Sequence, residues 1–119
     1  MDHTELESYL LSKTASKKEF PFGEDVAVFK VFNKMFALVG DKEGQININL
    51  KCLPDDAVGY REIYSCVTPG YHMNKKHWNT VLLNGEMRDE ILYDMIDASY
   101  NLVVGKLTKK EKEELKHYE

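Results

Sequence analysis

Residues Val26 to Lys51 constrain the fold more than any other stretch of the chain. Val26 to Phe32 is β-branched and aromatic, Asn33-Lys34 interrupts it, and Met35 to Val39 is a second apolar run. Two such runs split by a two-residue break form the pattern of an antiparallel hairpin. Asn33 tolerates the positive φ of a tight turn far better than Lys34 does. Asp41-Lys42-Glu43-Gly44 predicts a second turn, after which Gln45 to Lys51 alternates strictly. Ile46, Ile48 and Leu50 then share one face, with Gln45, Asn47, Asn49 and Lys51 on the other. A strand of that pattern is dry on one side and wet on the other. Its amide-rich wet side is either simply solvated or able to read bases or sugars by hydrogen bonding.

The flanking segments supply the layer that covers the dry side. Thr4 and Glu7 have the form of a capping box, and Leu6, Tyr9, Leu10 and Lys13 keep helical spacing, which predicts a helix over residues 4–13. Ser12 to Lys18 reads as a polar, basic loop, and Phe20-Pro21-Phe22-Gly23 as a loop pinned to the core by its two phenylalanines. Leu53-Pro54-Asp55-Asp56 is a helix start, giving a helix from Asp55 to Tyr64 with Ala57, Tyr60, Ile63 and Tyr64 inward. Val67 to Gly70 reads as a break, Tyr71 to Met73 as a short strand, Asn74 to His77 as a turn, and Trp78 to Leu83 as a strand ending at Asn84-Gly85. The longest helix starts at Arg88 or Asp89, with Ile91, Leu92, Met95, Ile96, Ser99, Leu102 and Val103 in a 3-4 rhythm and Gly105 as its cap. Thr108 and Glu111 predict a second capping box, opening a charged helix from Lys109 to Tyr118. The sum is one α+β domain over residues 1–119, an antiparallel sheet backed by helices.

Length and charge narrow the function. The chain has 119 residues, enough for one ordinary core. Its longest apolar runs fall far short of the ~20 residues of a membrane span. The acidic start, MDHTELESYL, lacks the basic and apolar regions of a signal peptide, so a cytoplasmic protein with no membrane partner is expected. Cys52 and Cys66, without CxxC spacing or a partnering His/Cys cluster, read as reduced and buried thiols. A net charge of −4 excludes a surface that attracts phosphates everywhere, so nucleic-acid binding requires a local patch.

The segment Pro69-Gly70-Tyr71-His72-Met73-Asn74-Lys75-Lys76-His77-Trp78-Asn79-Thr80-Val81, followed by Gly85 and by Ile96-Asp97-Ala98-Ser99-Tyr100, resembles the MmcQ/YjbR family of small bacterial proteins. Phe22-Gly23, Lys34-Met35-Phe36-Ala37 and Leu50-Lys51-Cys52 agree with the same family more weakly. The resemblance implies a frataxin-like (CyaY-like) architecture. It also implies a DNA-binding label, which derives from hairpins likened to a double wing. Two departures stand out: no Gly precedes Lys34, and Arg88 occupies the position where many relatives start the last long helix with Pro.

Two sets of candidate residues follow. For DNA, Lys30 and Lys34 near one hairpin tip join Lys75, Lys76 and His77 of the signature turn, beside His72, Tyr71 and Trp78. For a small ligand or a protein, Asn74, His77, Trp78, Asn79 and Tyr100 are candidates to line a groove between sheet and helix, or else to form a buried hydrogen-bond network. An enzyme is not expected, because neither Cys52 nor Cys66 with His72 or His77 sits in a nucleophile signature. No metal or other cofactor is expected either. His72 and His77 lack a third ligand within sequence reach, and Asp94 and Asp97 belong to an ordinary helix face. A monomer is expected.

Overall fold

A computed structural model describes residues 1–70 and 73–118. The alternating stretch folds as an antiparallel meander of β2 (Val26–Val31), β3 (Lys34–Lys42) and β4 (Gln45–Lys51). Its register aligns Ala27, Val39 and Ile48 in one row and Phe29, Ala37 and Leu50 in the next, all buried. The first turn falls one residue earlier than the spacing predicts. Val31 pairs with Lys34, so the two loop residues are Phe32 and Asn33, with φ of 47° and 68°. Two consecutive positive φ values match the right-handed strand twist, and here a bulky Phe supplies one of them. Likewise Lys42 pairs with Gln45, leaving Glu43 and Gly44 as the second turn.

Two strands carry no clear sequence signal. β1 (Ser16–Glu19) forms where a loop is expected and pairs with β2, while β5 (Val67–Pro69) forms where a break is expected and pairs with β6 (Trp78–Leu82). Both are short edge strands, where lysines and proline are tolerated because one row of backbone groups faces solvent. The complete sheet runs β1-β2-β3-β4-β6-β5, and every pairing is antiparallel. The expectation of a strand over Tyr71 to Met73 falls mostly on Tyr71 and His72, which lie outside the described residues.

Four helices accompany the sheet among the described residues: α1 (His3–Leu11), α2 (Pro54–Ile63), α3 (Asp89–Gly105) and α4 (Lys109–Lys116). Asp2, not Thr4, caps α1, its Oδ1 accepting from Glu5 N at 2.8 Å. α4 has the reciprocal Thr108–Glu111 box that its sequence announces. Gly105 is the last residue of α3 and Lys106 the cap, in an ordinary right-handed conformation, so no left-handed glycine is needed there. α3 lies across β3 and β4 and buries Leu92, Met95, Ile96, Ser99, Tyr100 and Val103. Ser99 Oγ donates to the Phe36 carbonyl at 2.6 Å and accepts from Lys51 N at 2.9 Å, pinning the helix to both central strands. Tyr100 donates to the Thr14 carbonyl at 2.6 Å and sets its ring edge-on to Phe36.

The Phe20–Gly23 loop is not pinned: Phe20 and Phe22 are 49% and 64% exposed. β1 and β2 already close this edge by their own pairing, so the loop between them has no core to enter. Ile63 of α2 is also exposed, whereas Ala57 is buried. No helix among the described residues is long and apolar enough to cross a membrane.

Candidate nucleic-acid interface

Strand alternation sorts the side chains onto two unlike faces. The helix side carries the main core, which includes Ala27, Phe29, Val39, Ile48, Leu50 and Val81. No helix among the described residues covers the other side, yet Val28, Leu38 and Trp78 are buried there as a second, small cluster, with Val26, Met35 and Met73 packed against it. The cover over this patch comes from the chain leading into β6. Gly70 N donates to the Trp78 carbonyl at 2.8 Å, and a Cβ at Gly70 would lie 2.9 Å from the Trp78 Cβ. Only glycine permits so close an approach. Trp78 is thus buried on the face opposite α3, away from any groove between sheet and helix.

The turn before β6 is held by its own polar groups. The Asn74 carbonyl accepts from His77 N at 3.1 Å and Trp78 N at 2.9 Å, and its Oδ1 accepts from Lys76 N at 3.0 Å. Cys52 N donates to the His77 carbonyl at 2.7 Å, tying the turn to the end of β4. Arg61 of α2 braces it from the helix side: its guanidinium donates to the Lys75 carbonyl and, through Nε at 2.6 Å, to Asn79 Oδ1. Asn79 is fully buried and gives its amide N–H to the Ala57 carbonyl at 3.1 Å. Lys75 and Lys76 stand exposed on this braced platform, and His77 is half-buried.

The five candidate ligand residues therefore do not line one groove. Trp78 and Asn79 point to opposite faces of β6, Asn74 is spent on the turn, and Tyr100 reaches back to Thr14. Of the DNA candidates, the fold brings Lys34, Lys75, Lys76 and His77 to one end of the sheet. Lys34 opens β3 at the hairpin end, and Lys51, which closes β4, pairs with Trp78 just after the turn. Lys30 lies half-buried on the helix-free face, 3.5 Å from Glu19 Oε1.

Three cations escaped the candidate sets. Register places Lys17, Lys42 and Lys51 on the helix-free face, with Lys17 directly opposite Lys30. Lys51 was legible as the polar end of an alternating strand. Lys17 was not, because β1 carries no apolar pattern. Between the cations lie Asn47, Asn49 and Thr80, whose hydroxyl donates to Asn49 Oδ1 at 2.6 Å. Arg61 was also missed. Its only signal is a lone base one turn beyond the inward-facing Ala57.

The first three helices have the opposite charge, whereas α4 mixes Lys109, Lys110, Lys112 and Lys116 with Glu111, Glu113 and Glu114. α1, α2 and α3 together carry Glu5, Glu7, Asp55, Asp56, Glu62, Asp89, Glu90, Asp94 and Asp97, against Arg61 alone. Asp97 is engaged locally, accepting from Tyr9 Oη at 2.6 Å and pairing with Lys13. Among the described residues no group of three or more His, Cys, Asp or Glu side chains is placed to hold a metal. Both cysteines are free and buried, and burial pushes each thiol up to about 11.

A family model described as YjbR matches residues 11–102, which include the whole sheet and most of α3. The chain belongs to the YjbR family. It is 40% identical over 97 residues to the uncharacterized protein YbdF of Escherichia coli O157:H7, covering 82% of this chain and 80% of that protein. It is 32% identical over 112 residues to the uncharacterized protein YjbR of E. coli K12, covering 94% and 95%. The crystal structure of a Deinococcus radiodurans protein with a DUF419 domain superposes with a TM-score of 0.86 at 36% identity, covering 94% of this chain and 86% of that one. A crystal structure from Pseudomonas syringae gives 0.77 at 30% identity, covering 87% and 99%. The braced turn and the helix-free face both lie within the YjbR match.

Proposed function

We propose that this YjbR-family protein binds duplex DNA through the basic end of its sheet, with little dependence on sequence. The observation that carries this reading is the segregation of charge. The chain is acidic overall, yet Lys17, Lys30, Lys42 and Lys51 share the helix-free face with Glu19 as the only acid that register places there among the described residues, while the acids of α1 to α3 lie in the helix layer. Lys34, Lys75 and Lys76 extend the same positive region at one end. Phosphate contacts supply most non-specific DNA affinity, and flexible lysines on a rigid base are suited to them. Lys34 and the Lys75-Lys76 turn are separated by the two steps from β3 to β6, about 10 Å at sheet spacing, close to the ~12 Å width of a major groove. A binding rather than a catalytic role also accords with the cysteines, whose raised pKa keeps them as inert thiols.

Fluorescence anisotropy with a labelled duplex, titrated from about 50 to 200 mM salt, tests the reading. The log-log slope of affinity against salt should be steep. Lys75→Ala with Lys76→Ala should flatten it by up to about two, since each phosphate contact contributes roughly one. Absence of binding at the low-salt end refutes the proposal.

A further inference from the structure

A cleft of about 190 Å³ opens beside β1, lined by Ala15, Lys17, Lys30, Phe32, Asn33 and Tyr118, with Glu19 at its side. Three features there disfavour the protein in isolation. Lys17 and Lys30 face each other directly across the β1–β2 ladder, and like charges in that position destabilise a sheet. Glu19 relieves only Lys30, at 3.5 Å, and Lys17 is in no ion pair among the described residues. Of the four non-glycine residues with positive φ among those described, Ala15, Phe32 and Asn33 all line this cleft. Such backbone costs energy, most of all for a ring as bulky as Phe, and residues of that kind concentrate where a ligand is held. Finally, Tyr118 is exposed although its ring meets Phe32 edge-to-face at 5.9 Å, which leaves aromatic surface open at the mouth.

We propose that this cleft is a binding site for a nucleoside monophosphate, with the phosphate between Lys17 and Lys30 and the base against Tyr118 and Phe32. A phosphate near neutral pH carries a charge of about −1.5 to −2, which fits two opposed ammonium groups better than any single carboxylate does. A planar base suits the open aromatic surface. The site does not rest on duplex binding: Lys17 and Lys30 also belong to the positive face of the DNA reading, but the cleft and its rings, Phe32 and Tyr118, do not. The same chemistry arrives either as a free nucleotide or as the phosphorylated end of a DNA strand.

The test is a ¹H–¹⁵N titration of the full chain with cytidine 5′-monophosphate, inorganic phosphate and cytidine. The nucleotide should move the amides of Ala15, Lys17, Phe32 and Asn33 saturably, and bind about tenfold or more tightly than phosphate or cytidine alone. Lys17→Gln and Tyr118→Ala should each weaken it severalfold with the rest of the spectrum unchanged, and Glu19→Gln should tighten it by removing the competing carboxylate. Saturable binding of the mononucleotide alone assigns a free nucleotide. An equal gain from a 5′-phosphate over a 5′-hydroxyl on an oligonucleotide assigns a strand end. Either result upholds the site. Shifts that fail to saturate by about 20 mM with every phosphorylated probe, that cytidine reproduces, or that survive Lys17→Gln overturn it. Duplex anisotropy on Tyr118→Ala separates the two readings, because this variant should leave the salt slope of duplex binding unchanged.

Discussion

Asn79→Ala tests the brace that holds the basic turn. The wild-type side chain is fully buried and makes two hydrogen bonds, one donated to the Ala57 carbonyl at 3.1 Å and one accepted from Arg61 Nε at 2.6 Å. Truncation removes both and leaves a small void. The buried neutral bond, with its carbonyl left short of a partner, costs about 1–3 kcal/mol. The Arg61 bond costs less than an interior charge-assisted bond, because the half-exposed guanidinium regains water. The total is about 2–4 kcal/mol, which for a domain of this size lowers the melting temperature by very roughly 6 to 16 °C. Thermal unfolding followed by circular dichroism measures the shift, and Arg61→Ala completes a double-mutant cycle. Because the two residues share one bond, the cycle should show a coupling of about 0.5–2 kcal/mol. A loss below about 0.5 kcal/mol for Asn79→Ala, or additive effects in the cycle, would refute the brace.

The remaining predictions concern stability and its dependence on pH. Gly70→Ala places a Cβ 2.9 Å from the Trp78 Cβ and 3.2 Å from its carbonyl, so chemical denaturation should register a loss of about 1–3 kcal/mol, accompanied by a change in Trp78 fluorescence. Cys52 has its thiol raised from 9.0 to about 11, chiefly by burial, so the unfolded chain ionises first as pH rises. Its share of stability is fully present below pH 9 and is lost on passing to about 11, on the order of 3 kcal/mol; Cys52→Ser should flatten this alkaline limb, as seen in denaturant midpoints. Glu86 is shifted the opposite way: the Ser65 hydroxyl and the Ser65 and Cys66 amides hold its carboxylate below the usual range. Its contribution is present above pH 4.5 and lost as pH falls through the lowered value, so Glu86→Gln should weaken the acid dependence of unfolding.

The parts of this fold that the sequence announces are those where one physical signal dominates. Gln45 to Lys51 alternates and forms β4 with those bounds, and the 3-4 rhythm after Arg88 forms α3 from Asp89. β1 and β5 escape because edge strands gain their pairing from neighbours and need no apolar pattern of their own. The turn at Phe32-Asn33 escapes for a related reason: the ladder, not residue preference, sets where the chain reverses, and Phe32 accepts an unfavourable φ as a result. The site divides in the same way. Trp78, Asn79 and Tyr100 are visible in the sequence as an unusual polar-aromatic cluster. Which face of the sheet Trp78 and Asn79 occupy follows only from register, which separates the cluster into structural devices and a basic tip.

The net charge of −4 is less of an obstacle to the proposed function than it appears in the sequence. The acids of α1 to α3 sit in a layer whose helices are ~10–12 Å across, so those on its outer side lie at least that far from the helix-free face. The Debye length at physiological ionic strength is about 8 Å, and a polyanion in contact with the open face is therefore largely shielded from the acids behind it. The lysines on that face act at contact distance, where screening is weakest. Under the proposed function the same asymmetry would orient the encounter, the acidic helices repelling a polyanion and the sheet face attracting it. On that proposal, a negative total charge selects which side of the molecule would meet the phosphates.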